Sequence, residues 1–212
     1  LNNVEARVLI LPANGALSAA EAQAIRDLVK RGGTLIADYQ TGIMTEHGRM
    51  LPKPELDDVF GIDRSRIVRW EPGKDETITA APKNAQSQSG LPIKMAETGL
   101  RGPAKPLWTV TRDDGSASSV FHNAFGQGHT WYFATDLFSG YQDALDKPDD
   151  KYAPRRMHLL HELFDQAFAE AGVKPQVTIR LKDPKTGQPA ARCPWVYTAV
   201  KKSGNTRFVI IL

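Results

Sequence analysis

Apolar and polar residues form alternating blocks along the first forty positions, and these blocks predict a strand, a helix and a second strand. The nearly continuous apolar run ARVLILP (Ala6 to Pro12) is typical of a strand covered on both faces. Ser18, with Glu21 three residues later, forms a capping box that begins a helix ending near Arg31. The buried run TLIAD follows. With such short connections, the pattern predicts a right-handed βαβ unit whose two strands are parallel.

Further along the chain, the pattern predicts an antiparallel hairpin and a long helix. SVFHNAF alternates as a half-buried strand does, TWYFAT is apolar enough for a central strand, and the GQG between them is typical of a turn. From Arg155 to Ala171 apolar residues recur at helical spacing, and Gly172 ends that helix. KPELDDVFGI predicts a short helix ending at Gly61. Residues 71–106 are rich in Pro, Gly, Ser, Gln and Lys and predict irregular structure, with minor strands at TITA and LPIKM.

The last forty residues change character, because three strand patterns there are joined by the turn sequences DPKTGQP and KKSGNT. We therefore predict two parts: an α/β domain over residues 1–173, and the start of a β-rich domain or a β appendage over residues 174–212. The fold class is α/β. We expect a flavodoxin-like, three-layer, parallel-type sheet with an antiparallel hairpin, followed by a small C-terminal antiparallel β element.

Composition excludes some classes of protein. The 212 residues are 41% hydrophobic and 24% charged, which is ordinary for a globular domain, and no apolar run approaches the roughly 18 residues of a membrane span. The net charge of +3 comes from scattered basic residues without the aromatic interleaving of a nucleic-acid binder. We therefore expect neither a nucleic-acid nor a membrane partner. Cys193 is the single cysteine, which rules out an internal disulfide and a multi-cysteine zinc site.

Both ends of the sequence predict a piece of a longer protein. The chain begins at Leu1 without an initiator Met, and RFVIIL is a strand pattern that reaches the last residues. Localisation stays open between the cytoplasm and export, because a signal peptide would precede such a piece.

The polar loop after TLIAD holds the strongest candidate site. Loops at the carboxyl ends of strands carry ligands in open α/β sheets. The candidate ligand-binding residues are Asp38, Tyr39, Thr41, Glu46, His47 and Arg49. They could bind a small polar ligand or a sugar, or transfer protons. The alternative is an ordered loop whose polar groups bond one another and the backbone. Substitution of Glu46 and His47, with binding measured across a panel of sugars and metabolites, separates the two.

The other histidines are weaker candidates for a metal-binding or catalytic site. His158 and His161 lie three residues apart on the long helix, whereas zinc-binding helices place two histidines four residues apart. His122 and His129 lie on neighbouring strands, where a cross-strand pair or exposed positions explain them. No glycine-rich phosphate loop and no G-x-S-x-G elbow occurs. We therefore predict no metal and no cofactor.

The order of these motifs resembles a known family. VLILPANGALSAAEAQAIRDLVKRGGTLIADYQTGIMTEHGR and the later NAFGQGHTWYFATDL resemble the class I glutamine amidotransferase-like fold. More narrowly, they resemble the middle, or trimerisation, domain of the family forty-two β-galactosidases and related bacterial glycoside-hydrolase-like proteins. The resemblance covers about residues 4 to 172 and is faint from 71 to 106. It also implies that a β-α-β lead-in, usual before the first strand, is missing here.

The resemblance implies that amidotransferase chemistry has been lost. The position of the family's nucleophilic cysteine falls near Tyr39, and the positions of its histidine and acid fall near Thr135 and Asp136. A phenol cannot replace a thiolate as an acyl nucleophile at neutral pH. The catalytic carboxylates of the galactosidases belong to a separate barrel domain, so the middle domain implies no catalysis of its own.

We therefore expect a non-catalytic structural or oligomerisation module of a larger β-galactosidase-like protein. Its partners would be further copies of itself or other domains of the parent chain. The alternative is a domain that binds a small polar ligand or sugar through the loop after the second strand, with catalysis left open.

Overall fold

The computed structural model describes residues 6–65, 68–70, 78–82, 91–93, 95–112, 115–136, 153–174, 180–182, 186, 189–192, 198–203 and 206–211. Contacts divide the chain into one compact unit over Leu1–Gly172 and another over Val173–Leu212. Among the described helices, none combines the length and the apolar character needed to cross a membrane.

The first unit contains helices on both sides of a seven-stranded sheet. Its helices are α1 (Ala19–Lys30), α2 (Asp57–Phe60) and α3 (Ala153–Glu170). Its strands are β1 (Val8–Leu11), β2 (Thr34–Asp38), β3 (Val68–Trp70), β4 (Ile78–Pro82), β5 (Leu91–Ile93), β6 (Ala96–Thr98), β7 (Lys105–Arg112), β8 (Gly115–Phe125) and β9 (Gly128–Phe133). Seven of them form the main sheet, while β3 and β6 pair with each other in a separate antiparallel pair.

The predicted βαβ unit is confirmed. The Ser18 hydroxyl accepts a hydrogen bond from Glu21 N, and the Glu21 carboxylate accepts one from Ser18 N, so the capping box begins α1 as expected. Gly32, with φ of 102°, follows the helix and turns the chain into β2. β1 and β2 pair in parallel, with Ile10 opposite Ile36.

The sheet is mixed, with the order β1-β2-β9-β8-β7-β4-β5. β1, β2 and β9 are parallel neighbours, whereas every pair from β9 through β8, β7 and β4 to β5 is antiparallel. The antiparallel part therefore extends well beyond the predicted hairpin. The strands predicted as minor pieces at TITA and LPIKM correspond to β4 and β5, which continue the main sheet.

Two hydrophobic clusters pack on opposite faces of this sheet. On one face, α1 contributes Ala22, Ile25 and Val29 against Leu35 and Tyr132. On the other face, the cluster joins α3 to the sheet through Leu160, Leu163, Ala167, Ile36, Phe133 and their neighbours. Alternate residues of β2 and β9 therefore point into different layers, as the two-residue period of a strand requires. The result is a mixed α/β fold with helices over both faces.

The strand β1 is less buried than its apolar sequence predicts. Ile10 is 39% exposed, and Val8, Leu9 and Leu11 are only partly buried. β1 stands first in the strand order, so among the described residues only one of its two edges is paired. A strand with one paired edge buries less of each side chain than a central one, which explains the difference from the prediction.

The glycines of the GQG turn are required by close packing against α1. A Cβ on Gly126, whose φ is +65°, would lie 2.6 Å from Lys30 Cα. A Cβ on Gly128 would lie 2.1 Å from Gly33 O and 2.3 Å from Val29 O. The backbone also bonds across this contact, from Gln127 N to Lys30 O at 3.1 Å. The hairpin of β8 and β9 is thereby held against the end of α1.

The second unit contains two antiparallel pairs. β10 (Arg180–Lys182) pairs with β11 (Pro189–Arg192), and β12 (Thr198–Ser203) pairs with β13 (Thr206–Ile211). That this unit begins a larger β-rich domain stays a prediction. Cys193 lies outside the described residues.

Candidate functional site

The first half of the candidate loop is buried beneath the carboxyl edge of the sheet. Asp38, at the end of β2, is 2% exposed, Tyr39 is 7% exposed, and Thr41 is fully buried. The Thr41 hydroxyl donates a hydrogen bond to Asp38 O at 2.6 Å. Between them Gln40 adopts a left-handed φ of 62°, which is uncommon for a residue other than glycine. The chain therefore turns sharply here, and its polar groups bond inward.

The second half of the loop lies in solvent. His47 has an 87% exposed side chain, and its Nε2 lies 3.9 Å from Oε1 of the half-exposed Glu46. Arg49 is exposed, and its described bonds are local, since its N–H and carbonyl both bond to Thr45. The structure thus gives the six loop residues two environments, with three buried and three in solvent.

Tyr39, Thr135 and Asp136, which the sequence resemblance aligned with catalytic positions, all meet one segment of chain. The Tyr39 hydroxyl donates to Met95 Sδ at 3.2 Å, and the Asp136 carboxylate accepts from Met95 N at 2.9 Å. Thr135, which is fully buried, forms a β-bridge with the next residue, Ala96. Residues 95 and 96 therefore cover the carboxyl ends of β2 and β9. This is the edge at which open α/β sheets usually bind ligands.

A buried arginine lies next to this covered edge. Arg64 is 1% exposed, and its Nε donates to Asp57 Oδ1 at 2.5 Å. Its Nη1 donates to Thr41 O at 2.7 Å and to the Tyr132 hydroxyl at 3.1 Å. The guanidinium carbon also lies 5.4 Å from the ring centre of Phe60 and 5.0 Å from that of Tyr132. One cation thereby joins α2, the candidate loop and β9.

Tyr132 extends this contact to β6. Its hydroxyl donates a hydrogen bond to the carboxylate of Glu97, which is 1% exposed. Burial raises the pKa of the Tyr132 phenol well above its usual value, and Glu97 raises it further, while Arg64 acts in the opposite direction. Burial lowers the pKa of Arg64, but Tyr132, Asp57 and Glu97 outweigh that effect and raise it overall. At neutral pH the phenol therefore keeps its proton and Arg64 its charge.

This arrangement is suited to holding segments together and not to turnover. Arg64, Tyr132 and Glu97 are enclosed, so a substrate would have to displace the packing to reach them, and Asp57 is only 3% exposed. The sequence analysis missed them, because Arg64 looked like one of several scattered basic residues. No spacing rule connects Arg64, in the loop after α2, to Glu97 on β6.

An open cavity of about 510 Å³ lies beside α2, lined by Asp57, Asp58, Asp63, Lys53 and neighbouring residues. Each of its three carboxylates is already engaged: Asp57 with Arg64, Asp58 with Arg26, and Asp63 with Ser65 N. A glycosidase needs two carboxyl groups facing a sugar across a cleft. The carboxylates lining this cavity therefore serve structure.

A separate cluster joins His122 and His129 to the end of α3. His122 Nε2 lies 2.9 Å from both carboxylate oxygens of Glu170, and His129 Nδ1 lies 3.1 Å from Glu170 Oε1. The indole N–H of Trp131 donates to Glu170 Oε2 at 2.9 Å. The two imidazole rings are stacked, with centres 5.4 Å apart. Such ligand types can bind a divalent transition metal.

Comparisons with known proteins agree on one relationship. Residues 4–148 match the family model described as the β-galactosidase trimerisation domain. A comparison with curated protein sequences finds no significant match.

Several similar solved structures are β-galactosidases. That from Bacillus circulans sp. alkalophilus has a TM-score of 0.70 at 16% identity, over 97% of this chain and 26% of its own. A GH42 β-galactosidase from G. stearothermophilus has a TM-score of 0.68 at 16% identity, over 97% and 26%. The enzyme from Rahnella sp. R3 has a TM-score of 0.65 at 17% identity, over 97% and 27%. At these identities the likeness shows the fold, and the chain spans about a quarter of their length.

Proposed function

The chain belongs to the β-galactosidase trimerisation domain family, and from that premise we propose that it is the non-catalytic oligomerisation module of a larger, β-galactosidase-like glycoside hydrolase. The observation that carries this proposal is the family match over residues 4–148. The module would join copies of the parent protein, or other domains of the same chain, while a separate domain performs hydrolysis.

The geometry at the carboxyl edge of the sheet supports a role without catalysis. In active members of related α/β folds this edge is open, because substrates enter there. Here Met95 and Ala96 cover it, and Tyr39, Thr135 and Asp136 are all buried against them. The polar groups that would have formed a site instead bond to the covering segment. The edge thus stabilises the module.

The strand β1 is the surface that we expect to contact a partner. It has no charged residue, its sequence VLIL is apolar, and Ile10 is 39% exposed. Exposed apolar strand edges invite pairing with another chain, and proteins usually cover them or place charges on them. A copy of the module, or another segment of the parent chain, would cover this edge.

Sedimentation equilibrium of the parent protein tests the proposal, with Ile10→Lys as the variant. We expect the parent protein to self-associate, and the new charge on β1 to weaken that association at least tenfold. Gln23→Lys is the matched control, since it adds the same charge on an exposed position of α1 and should leave association unchanged. A parent protein that stays monomeric at high concentration, and whose module has no affinity for its other domains, would contradict the proposal.

We further infer that the scaffold is a flavodoxin-like, amidotransferase-like sheet that has lost its nucleophile. The parallel strands β1, β2 and β9, and the sharp left-handed turn at Gln40, support this origin. Superposition on an amidotransferase domain is the check. If the nucleophile of the amidotransferase superposes on a part of this chain other than residues 38–41, the inference is contradicted. Sugar binding by the exposed Glu46, His47 and Arg49 stays a prediction.

A further inference from the structure

In contrast to the sequence prediction of no metal, we propose that His122, His129 and Glu170 bind a divalent transition-metal ion, with Zn²⁺ the expected occupant. Their candidate ligand atoms, one from each residue, all lie within 4.8 Å of one another. Two imidazoles and one carboxylate form a ligand set that zinc sites use. This site lies on the sheet face that carries α3, apart from the covered edge described above, and does not depend on the oligomerisation proposal.

The distances are close to those that a bound ion would require. Ligand atoms about 2.0–2.1 Å from a tetrahedral zinc ion are about 3.3 Å apart. Glu170 Oε1 lies 2.9 Å from His122 Nε2 and 3.1 Å from His129 Nδ1. Glu170 Oε1 is therefore within a few tenths of an ångström of the required distance from each imidazole nitrogen. The two nitrogens lie within 4.8 Å of each other and would complete the site by closing to about 3.3 Å. All three side chains are partly exposed, at 22%, 35% and 25%, so an ion can enter and a water can take the fourth position.

A buried nitrogen gives independent support. His129 Nδ1 is buried and has no described hydrogen bond, although Glu170 Oε1 lies 3.1 Å away. A buried nitrogen without a hydrogen bond costs free energy. A metal ion held between this nitrogen and the carboxylate would satisfy both, without needing a hydrogen atom on the line between them.

Trp131 holds the carboxylate in the orientation that the site needs. Its indole N–H donates to Glu170 Oε2, which leaves Oε1 directed at both imidazoles. In metal sites, hydrogen bonds from surrounding residues to the ligands fix their orientation and raise affinity. Two cationic residues lie on neighbouring parts of the chain: Lys105 pairs with His122 across β7 and β8, and Arg7 Nη1 bonds to Gly172 O near the end of α3. Neither has a described bond to Glu170.

The ion would connect elements that are far apart in sequence. His122 lies on β8, His129 on β9, and Glu170 in the last turn of α3. A bound ion would fasten the end of α3 to the hairpin, so its effect should appear as added thermal stability as well as binding.

Zn²⁺ titration of the chelator-treated parent protein tests the proposal. We expect the variants His122→Ala, His129→Ala and Glu170→Gln each to bind one equivalent of Zn²⁺ fewer than the unmodified parent protein. The rise in melting temperature that Zn²⁺ causes should be absent from the same variants. Trp131→Phe keeps an aromatic ring at this position but removes the N–H, so it should weaken binding about tenfold to a hundredfold. His47→Ala is the matched control, because it removes an exposed histidine elsewhere and should bind as the parent does.

Co²⁺ absorption supplies a second measurement, which reports the coordination of the ion in the unmodified parent protein directly. A nitrogen- and oxygen-bound Co²⁺ in a four-coordinate site absorbs visible light much more strongly than the hydrated ion. Strong bands in the parent protein that Glu170→Gln abolishes would support the site. The proposal is overturned if the variants bind Zn²⁺ with unchanged stoichiometry and affinity, or if Co²⁺ keeps the weak spectrum of its hydrated form.

Discussion

Two neighbouring aspartates show how burial changes the value of an ion pair. Asp57 is 3% exposed and pairs with the enclosed Arg64. Asp58 has a 47% exposed side chain and pairs with Arg26, whose side chain is 19% exposed. Both lie in the first turn of α2, so the helix dipole acts on both similarly. Removing one partner of a buried pair leaves an uncompensated charge, whereas water replaces the partner of an exposed charge.

We therefore expect Asp57→Asn to lower the free energy of unfolding by about 3–5 kcal/mol. Asp58→Asn, its matched control, should lower it by about 1 kcal/mol or less. Denaturant unfolding of the two variants measures both values. Equal losses would show that Arg64 is stabilised by Tyr132 and Glu97 without needing Asp57, and would contradict the assignment of Asp57 as its principal partner.

At the scale of elements, the β8–β9 hairpin depends on the absence of side chains where it meets α1. The backbone around Gly128 approaches Gly33 O and Val29 O so closely that even a methyl group has no space. Gly48 offers the contrast. It has φ of +76°, but an added Cβ would meet nothing within 4 Å.

Gly128→Ala should therefore destabilise the fold by about 3 kcal/mol through overpacking. Gly48→Ala should cost only about 1 kcal/mol, from the left-handed backbone alone. Thermal unfolding of both variants provides the comparison. A loss at Gly128 no larger than that at Gly48 would mean that the hairpin can move away from α1 cheaply.

Local patterns predicted the elements well where neighbouring residues decide the structure. The capping box at Ser18, the end of α2 at Gly61 and the hairpin turn all depend on short-range chemistry, and the sequence displays it. The strands β4 and β5 were underestimated, because their place in the sheet comes from pairing with β7 and with each other and not from their own composition.

At the scale of the whole molecule, the sequence predicted the position of the candidate loop but not its surroundings. The sequence placed Asp38, Tyr39 and Thr41 at the carboxyl end of β2, which is where they lie. It could not show that residues 95 and 96 cover this edge, since that contact joins distant parts of the chain. For the same reason, Glu170 gave no sign that it meets His122 and His129.

The mixed sheet has a consequence for the order in which the molecule folds. β9 pairs with β8 across a short turn. It pairs with β2 only after the ends of the long segment between β2 and β9 have come together. Closing that long loop costs entropy before the pairing between β2 and β9 repays it. We expect the hairpin to be formed in the folding transition state. Val120→Ala should then slow folding, whereas Val8→Ala should mainly speed unfolding, as measured by stopped-flow kinetics across denaturant concentrations. The reverse pattern would place the parallel strands first, and the hairpin would then be a late addition to a βαβ nucleus.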